Sequence, residues 1–415
     1  MGTARPDLFA LDADQQAVLR ERCQREEAAL SPAATHNAQA IYEFPTAAPD
    51  DPTDILLRPA FVRDVDRILN NAFYNRCMDK TQVFPFFRND DVSRRSFHLQ
   101  LVAQISLRIG RALGLNEALI QAIALGHDLG HTPFGHGGEH MLDRLLFAHT
   151  DRPGHPGIHF SHNVQSVRLL RSISTSNLSL QTYNGILAHC GEKAFARYEP
   201  APCATFADLD AMIAACQRSF ANSQLLRPST LEGCVVRLCD ILAYLGKDRQ
   251  DAVNLGVLTE DEYRTEGEVA GATNADYIRN TTLNLIKNSL GKDYLALDPE
   301  LFESLMRIKD DNARRIYRSP EAHARLDELI EPMMTRIYER CLEDLRAGDR
   351  QAPVFRHHLD AWVMRYNPRY AQDNEPAVIV ADYIACMTDE YFIDLHNYLF
   401  PRQAVGKDVL YHPYF

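Results

Sequence analysis

The chain has 415 residues, 46% hydrophobic and 24% charged, ordinary globular usage that excludes a disordered, collagen-like or membrane-spanning protein. The balance of 44 Lys+Arg against 56 Asp+Glu gives a formal charge of −12. That is the wrong sign for coating duplex DNA, but it leaves room for a local basic pocket that takes a small polyphosphate.

Nine scattered cysteines with no C-x-x-C pair point to a reducing, cytoplasmic setting. Met1 to Gln16 lacks the basic-then-apolar order of a secretory leader, and Pro6 stands where a myristoylation motif needs Ser or Thr. No run of about 18 apolar residues is present to span a bilayer, so no membrane partner is expected.

Apolar residues recur at spacings of three and four, and alternating β-branched runs are few, which predicts an all-α fold. Residues 1–54 are polar and dotted with Pro32, Pro45, Pro49 and Pro52, and read as an arm on the surface or across a subunit boundary. From Pro59 to Met78 a helical stripe runs through Phe61, Val65, Ile68, Leu69 and Phe73, until Lys80-Thr-Gln-Val-Phe-Pro85 breaks it. A helix is predicted from Ser93 to Leu113, striped by His98, Val102, Ile105 and Ile109 and stopped by Gly114. Asn116 can cap the next helix, whose residues 118–125 leave hardly any polar face.

After a Gly- and Pro-rich loop, helices are expected from about His136 to His149 and from His162 onward. Later ones are expected near 205–220, 229–247, 276–290, 310–317, 321–346 and 374–399. The acidic, Gly-containing stretch 258–275 is the best boundary candidate, dividing a catalytic core at 55–257 from a C-terminal helical region at 258–415 packed on it.

Ten of the sixteen histidines fall between residues 98 and 189, most densely in Gly126-His-Asp-Leu-Gly-His-Thr-Pro-Phe-Gly-His-Gly-Gly-Glu139. His127 and Asp128 end an almost wholly apolar helix, where an ionised carboxylate needs a partner to offset several kcal/mol of desolvation. A divalent metal is one such partner. Imidazole and carboxylate suit Mg, Mn, Co, Ni, Fe or Zn to different degrees, and no cysteine joins the set to choose between them.

His98 faces inward from the preceding helix. Asp240 shares one face with Val236 and Tyr244 at spacing four. Two His and two Asp leave open positions for water and a phosphate oxygen, the mark of a catalytic rather than a structural site. Taken singly, His98 also fits a core histidine and Asp240 a solvated acid.

The same residues carry a resemblance. The pieces are Arg63-Asp-Val-Asp-Arg-Ile-Leu69, Lys80-Thr-Gln-Val-Phe84, Arg95-Ser-Phe-His98, the long motif at 122–139, Phe160-Ser-His-Asn163, Gly185-Ile-Leu-Ala-His189, Asp240-Ile-Leu-Ala-Tyr244 with Asp248, and Val380-Ala-Asp-Tyr-Ile-Ala-Cys-Met-Thr-Asp389. In this order, over residues 58 to 400, the sequence resembles the HD-domain deoxynucleoside triphosphate triphosphohydrolases, the dGTP triphosphohydrolase-like enzymes. The resemblance implies an HD-domain helical core with additional helices. It also implies hydrolysis of deoxynucleoside triphosphates to deoxynucleoside and inorganic triphosphate with a divalent metal ion.

Carried over residue by residue, it makes His98, His127, Asp128 and Asp240 the metal ligands and His136 the catalytic histidine, supported by Glu139. Arg95, His131, His162, Asn163 and Lys193 become phosphate contacts, and Gln82, Tyr244 and Asp248 the sugar pocket. A homo-oligomer, tetramer or hexamer, and activation by a second nucleotide or single-stranded DNA are implied as well. Two rival readings share these residues: another HD-superfamily nucleotide phosphohydrolase, and a nucleotide-sensing or single-strand-binding oligomer with incidental hydrolysis.

Overall fold

A computed structural model describes residues 11–45, 52–87, 89–190, 194–318 and 325–411. The apolar segment after Gly114 forms the helix Glu117–Gly126, and Leu119, Ile120 and every residue from Ala122 to Gly126 are buried in it. Asn116 caps it, its side chain accepting from the Leu119 amide at 3.2 Å. A helix apolar all round must be wrapped. Arg95–Leu113, Ala60–Leu69 and Leu231–Asn254 pack around it, and Leu180–Leu187 closes the layer. Each fully buried Leu or Ile there contributes about 1.5–3 kcal/mol.

The C-terminal half continues in helices. Asn274–Ser289 and Pro299–Asn312 lie against Leu231–Asn254, while Glu331–Ala347 and Pro376–Ala385 pack on Gly135–Thr150. The fold is all-α: the described residues hold one two-stranded sheet, Arg197–Tyr198 antiparallel to Leu295–Ala296. No helix of the described residues is long and apolar enough to cross a membrane.

Several boundaries depart from the periodicity. The stripe from Pro59 splits into Ala60–Leu69 and Ala72–Arg76, because Asn71 caps the second piece by accepting from the Phe73 amide at 3.0 Å. The segment expected at 310–317 begins at Pro299, whose fixed φ suits a first helical turn, and runs on as a wider π-type turn through Ala313–Tyr317. The stretch 374–399 is two helices, Pro376–Ala385 and Asp389–Leu399, the second capped by Thr388.

Within the N-terminal arm, 1–10 and 46–51 lie outside the described residues. Ala13–Ala28 is a helix with no buried residue, held by a reciprocal Asp12–Gln15 capping box. Behind it Thr35 is buried, and its N–H and hydroxyl both donate to Glu232 at 2.9 Å.

Two close approaches shape the loop that carries the His-Asp motif. A Cβ on Gly130 would stand 2.2 Å from the Ser166 nitrogen and 2.3 Å from the His162 carbonyl oxygen, so only glycine lets this loop lie on the helix His162–Arg168. Phe134 and Gly135 are both left-handed, at φ 64° and 60°. That turn is held by Asp389, whose Oδ1 accepts from the Phe134 amide at 3.1 Å while Oδ2 accepts from the Thr81 amide at 3.1 Å. Buried Lys80 donates to the carbonyls of His131 and Ala385, tying the same loop to the C-terminal helices.

Candidate active site

A cavity of about 460 Å³ opens where these elements meet, within the range of small-molecule sites. Its floor is the His-Asp motif, one wall is the Asp240-Tyr244-Asp248 face, and a second, apolar wall comes from Phe84 and Ile316.

Four candidate ligands converge at the floor. His98 Nε2 lies 3.0 Å from Asp240 Oδ1 and 3.9 Å from Asp128 Oδ2. His127 Nε2 lies 3.7 Å from both Asp128 Oδ1 and Asp240 Oδ1. Donors held 2.0–2.2 Å from one ion stand roughly 3 to 3.6 Å apart, so this set nearly has the spacing an ion requires.

The donor chemistry fits too. His127 Nδ1 donates to the Ala124 carbonyl at 2.7 Å, which leaves Nε2 as the lone-pair nitrogen. That buried Nε2 has no hydrogen-bond partner among the described residues. Burial would raise the Asp128 carboxyl, but His131, Arg95 and His127 outweigh it and hold it well below the ordinary range. For Asp240 burial is likewise overcome, by the neighbouring His127 and His98 imidazoles. Both acids are thus ready to bind a cation.

Beside this floor, His131 and His162 stack with ring centroids 3.9 Å apart, and His136 stands edge-on to both. Glu139, fully buried one turn after His136, anchors two of them: Oε2 accepts from His136 Nδ1 at 2.9 Å and Oε1 from His162 Nδ1 at 2.8 Å. An ionised carboxylate only accepts, so His136 carries its proton on Nδ1 and turns Nε2 outward. The His136 side chain is 58% exposed, on the cavity side. Burial drives His131 well down, so it is neutral, whereas Glu139 overrides burial to hold His162 well up.

The remaining candidates are distributed as follows. Arg95 lines the cavity but is paired with Asp128 Oδ2 and donates from Nη2 to the Thr81 carbonyl at 3.0 Å. Gln82, Tyr244 and Asp248 line the upper wall, and Tyr317 donates its hydroxyl to Asp248 Oδ2 at 2.6 Å. Asn163 is fully buried and away from the cavity lining, its amide donating to the Leu187 carbonyl at 2.6 Å. Lys193 lies outside the described residues.

The structure adds residues to which the sequence reading gave no role. Lys309 and Arg318 bring two cations to the cavity from the C-terminal half, with Tyr317 beside them. His189 and Cys190 bring a third imidazole and a thiol to its floor. His189 had a readable signal, since like His127 it follows an apolar helical run, Ile186-Leu187-Ala188.

Residues 95–245 match the HD domain and residues 295–398 the Phosphohydrolase-associated domain. A deoxyguanosinetriphosphate triphosphohydrolase-like protein of Desulfatibacillum aliphaticivorans is 30% identical over 91% of this chain and 96% of its own. One from Ralstonia pickettii is 30% identical over the same shares, and one from Caldanaerobacter subterraneus subsp. tengcongensis is 31% identical over 83% and 86%.

Proposed function

From membership of the HD-domain, deoxyguanosinetriphosphate triphosphohydrolase-like family, to which this chain belongs, we propose that it hydrolyses deoxynucleoside triphosphates, dGTP or several of the four, to deoxynucleoside and inorganic triphosphate. The coarser statement, a phosphohydrolase of the HD superfamily, follows from the matches themselves. The single observation that carries the finer one is the Glu139-anchored His136 and His162 pair facing the His98, His127, Asp128 and Asp240 cluster across one cavity.

His98, His127, Asp128 and Asp240 would hold a divalent ion, which would supply Lewis-acid polarisation at the α-phosphate and acidify water. The chain's own groups do the rest. His131, His162, Arg95, Lys309 and Arg318 lie along the triphosphate, with Asn163 holding the Leu187 carbonyl behind them, and the family resemblance adds Lys193. Gln82 receives the sugar together with Tyr244 and Asp248, which share a helical face at spacing four, where the Tyr244 ring crowds a 2′-hydroxyl. His136, its ring held through Nδ1 by the Glu139 carboxylate, delivers a proton from Nε2 to the departing 5′-oxygen.

The nine cysteines, none disulfide-bonded, fit a reducing cytoplasm. A homo-oligomer with an effector nucleotide or single-stranded DNA completes the reading on family resemblance, and light scattering with and without nucleotide measures it. The direct test incubates pure protein and Mg or Mn with each deoxynucleotide and separates the products. Inorganic triphosphate with deoxynucleoside supports the proposal. Monophosphate or pyrophosphate favours the other HD phosphohydrolases, and binding without turnover a sensing role.

A further inference from the structure

The proposed reaction gives no role to His189 and Cys190, which stand beside His162 on the cavity floor. His162 Nε2 and His189 Nε2 face each other at 3.3 Å, and Cys190 Sγ lies 3.4 Å from His162 Nε2. The three donor atoms fall within 4.8 Å of one another, on buried side chains that all line the cavity.

Both imidazoles are already oriented from behind. His162 Nδ1 is held by the Glu139 carboxylate at 2.8 Å and His189 Nδ1 by the Ile186 carbonyl at 2.6 Å. A metal-binding histidine usually hands its second ring nitrogen to a carboxylate or a backbone carbonyl, and here one of each does so. Both Nε2 atoms are thereby turned toward the sulfur.

We propose that His162 Nε2, His189 Nε2 and Cys190 Sγ form a second metal site, selective for a soft or borderline divalent cation such as Zn or Co over Mg or Mn. The selectivity follows from the thiolate, a donor the first site lacks. Asp128 Oδ1, 3.6 Å from His189 Nε2 and 3.9 Å from His162 Nε2, is the nearest carboxylate oxygen and stands between the two sites. On binding, the Cys190 S–H bond and the His162 Nε2–H bond both break, the two protons pass to solvent, and the sulfur and Nε2 lone pairs go to the metal. No electron transfer is involved. Resting also on the proposed function, occupation of this site takes His162 from the triphosphate, so a second zinc or cobalt ion inhibits where magnesium does not.

The test is a cobalt(II) titration of the full chain, followed by absorption and by metal content after desalting, with no turnover measured. The expected result is two equivalents bound, one of them accompanied by a near-ultraviolet sulfur-to-cobalt charge-transfer band. Cys190→Ser abolishes the band and leaves one equivalent, and His189→Gln weakens the band. Magnesium or manganese leaves the thiolate site empty for later cobalt. A single equivalent in the unaltered protein, with or without the band, overturns the proposal, as does a band that survives Cys190→Ser. The unaltered protein alone can refute the site, so a poorly folding variant does not shield it. A positive titration with no triphosphate release would overturn the proposed function and leave this site standing.

Discussion

Glu139 Oε1 accepts twice from His162, from the backbone N–H at 2.7 Å and from ring Nδ1 at 2.8 Å, and keeps Oε2 for His136. One buried acid therefore sets the position of two imidazoles on different helices. Burial opposes its charge, but His162 and the hydrogen bond from His136 hold the carboxyl well below the ordinary glutamate range. Glu139→Gln keeps the volume but replaces one accepting oxygen with a donating amide, so one ring loses its anchor. Turnover should fall about 10- to 100-fold, as for loss of an outer-shell partner. Steady-state rates beside a melting curve check it, and an unchanged rate in a folded variant contradicts it.

His136→Ala removes the acid without touching the ligand cluster. Binding of metal and of nucleotide should persist while turnover drops about 10²- to 10⁴-fold. Calorimetric titration and product release measure the two separately, and a rate within a factor of two of the unaltered enzyme removes His136 from the chemistry.

Asp248 is a buried acid without a cation in its own hydrogen bonds, and burial pushes its carboxyl up to about 8. The sign follows from linkage: between the unfolded value near 4 and the folded value near 8, the unfolded chain gives up this proton and the folded chain keeps it, so this group's contribution to stability declines as pH rises. Asp248→Asn is neutral throughout and can still accept from Tyr317. Its stability relative to the unaltered protein should increase from about pH 5 to about pH 8, read from urea midpoints. Parallel curves would show that Asp248 is not held up.

Asp382 joins the two halves of the chain. It receives Arg168 Nη2 at 2.5 Å, the Tyr370 hydroxyl at 2.6 Å and Gln165 Nε2 at 2.9 Å. Asp382→Ala strands the Arg168 guanidinium and should cost about 3–5 kcal/mol. Denaturant unfolding measures the loss, and a change near zero would mean that water replaces the carboxylate.

What could be read before folding depended on how local its cause was. The helices Arg95–Leu113 and Glu117–Gly126 were legible because their apolar stripe, the Gly114 stop and the Asn116 cap all lie in the segment itself. Ala13–Ala28 escaped because it has no apolar face and is stabilised by its capping box and charges. In the site, the dense motif at 126–139 and the Asp240-Tyr244-Asp248 spacing were visible. Tyr317, Lys309 and Arg318 were not, since tertiary packing alone brings them to the cavity. Cys190 looked like one more scattered cysteine until Leu180–Leu187 carried it beside His162.

Hydrolysis at the α-phosphorus is tested most directly by running the reaction in ¹⁸O-water and weighing both products. Water attacking there breaks the bond to the 5′-oxygen, so the released triphosphate should carry one ¹⁸O and the deoxynucleoside none. Label in the nucleoside, or its appearance in a monophosphate or pyrophosphate, would contradict the account.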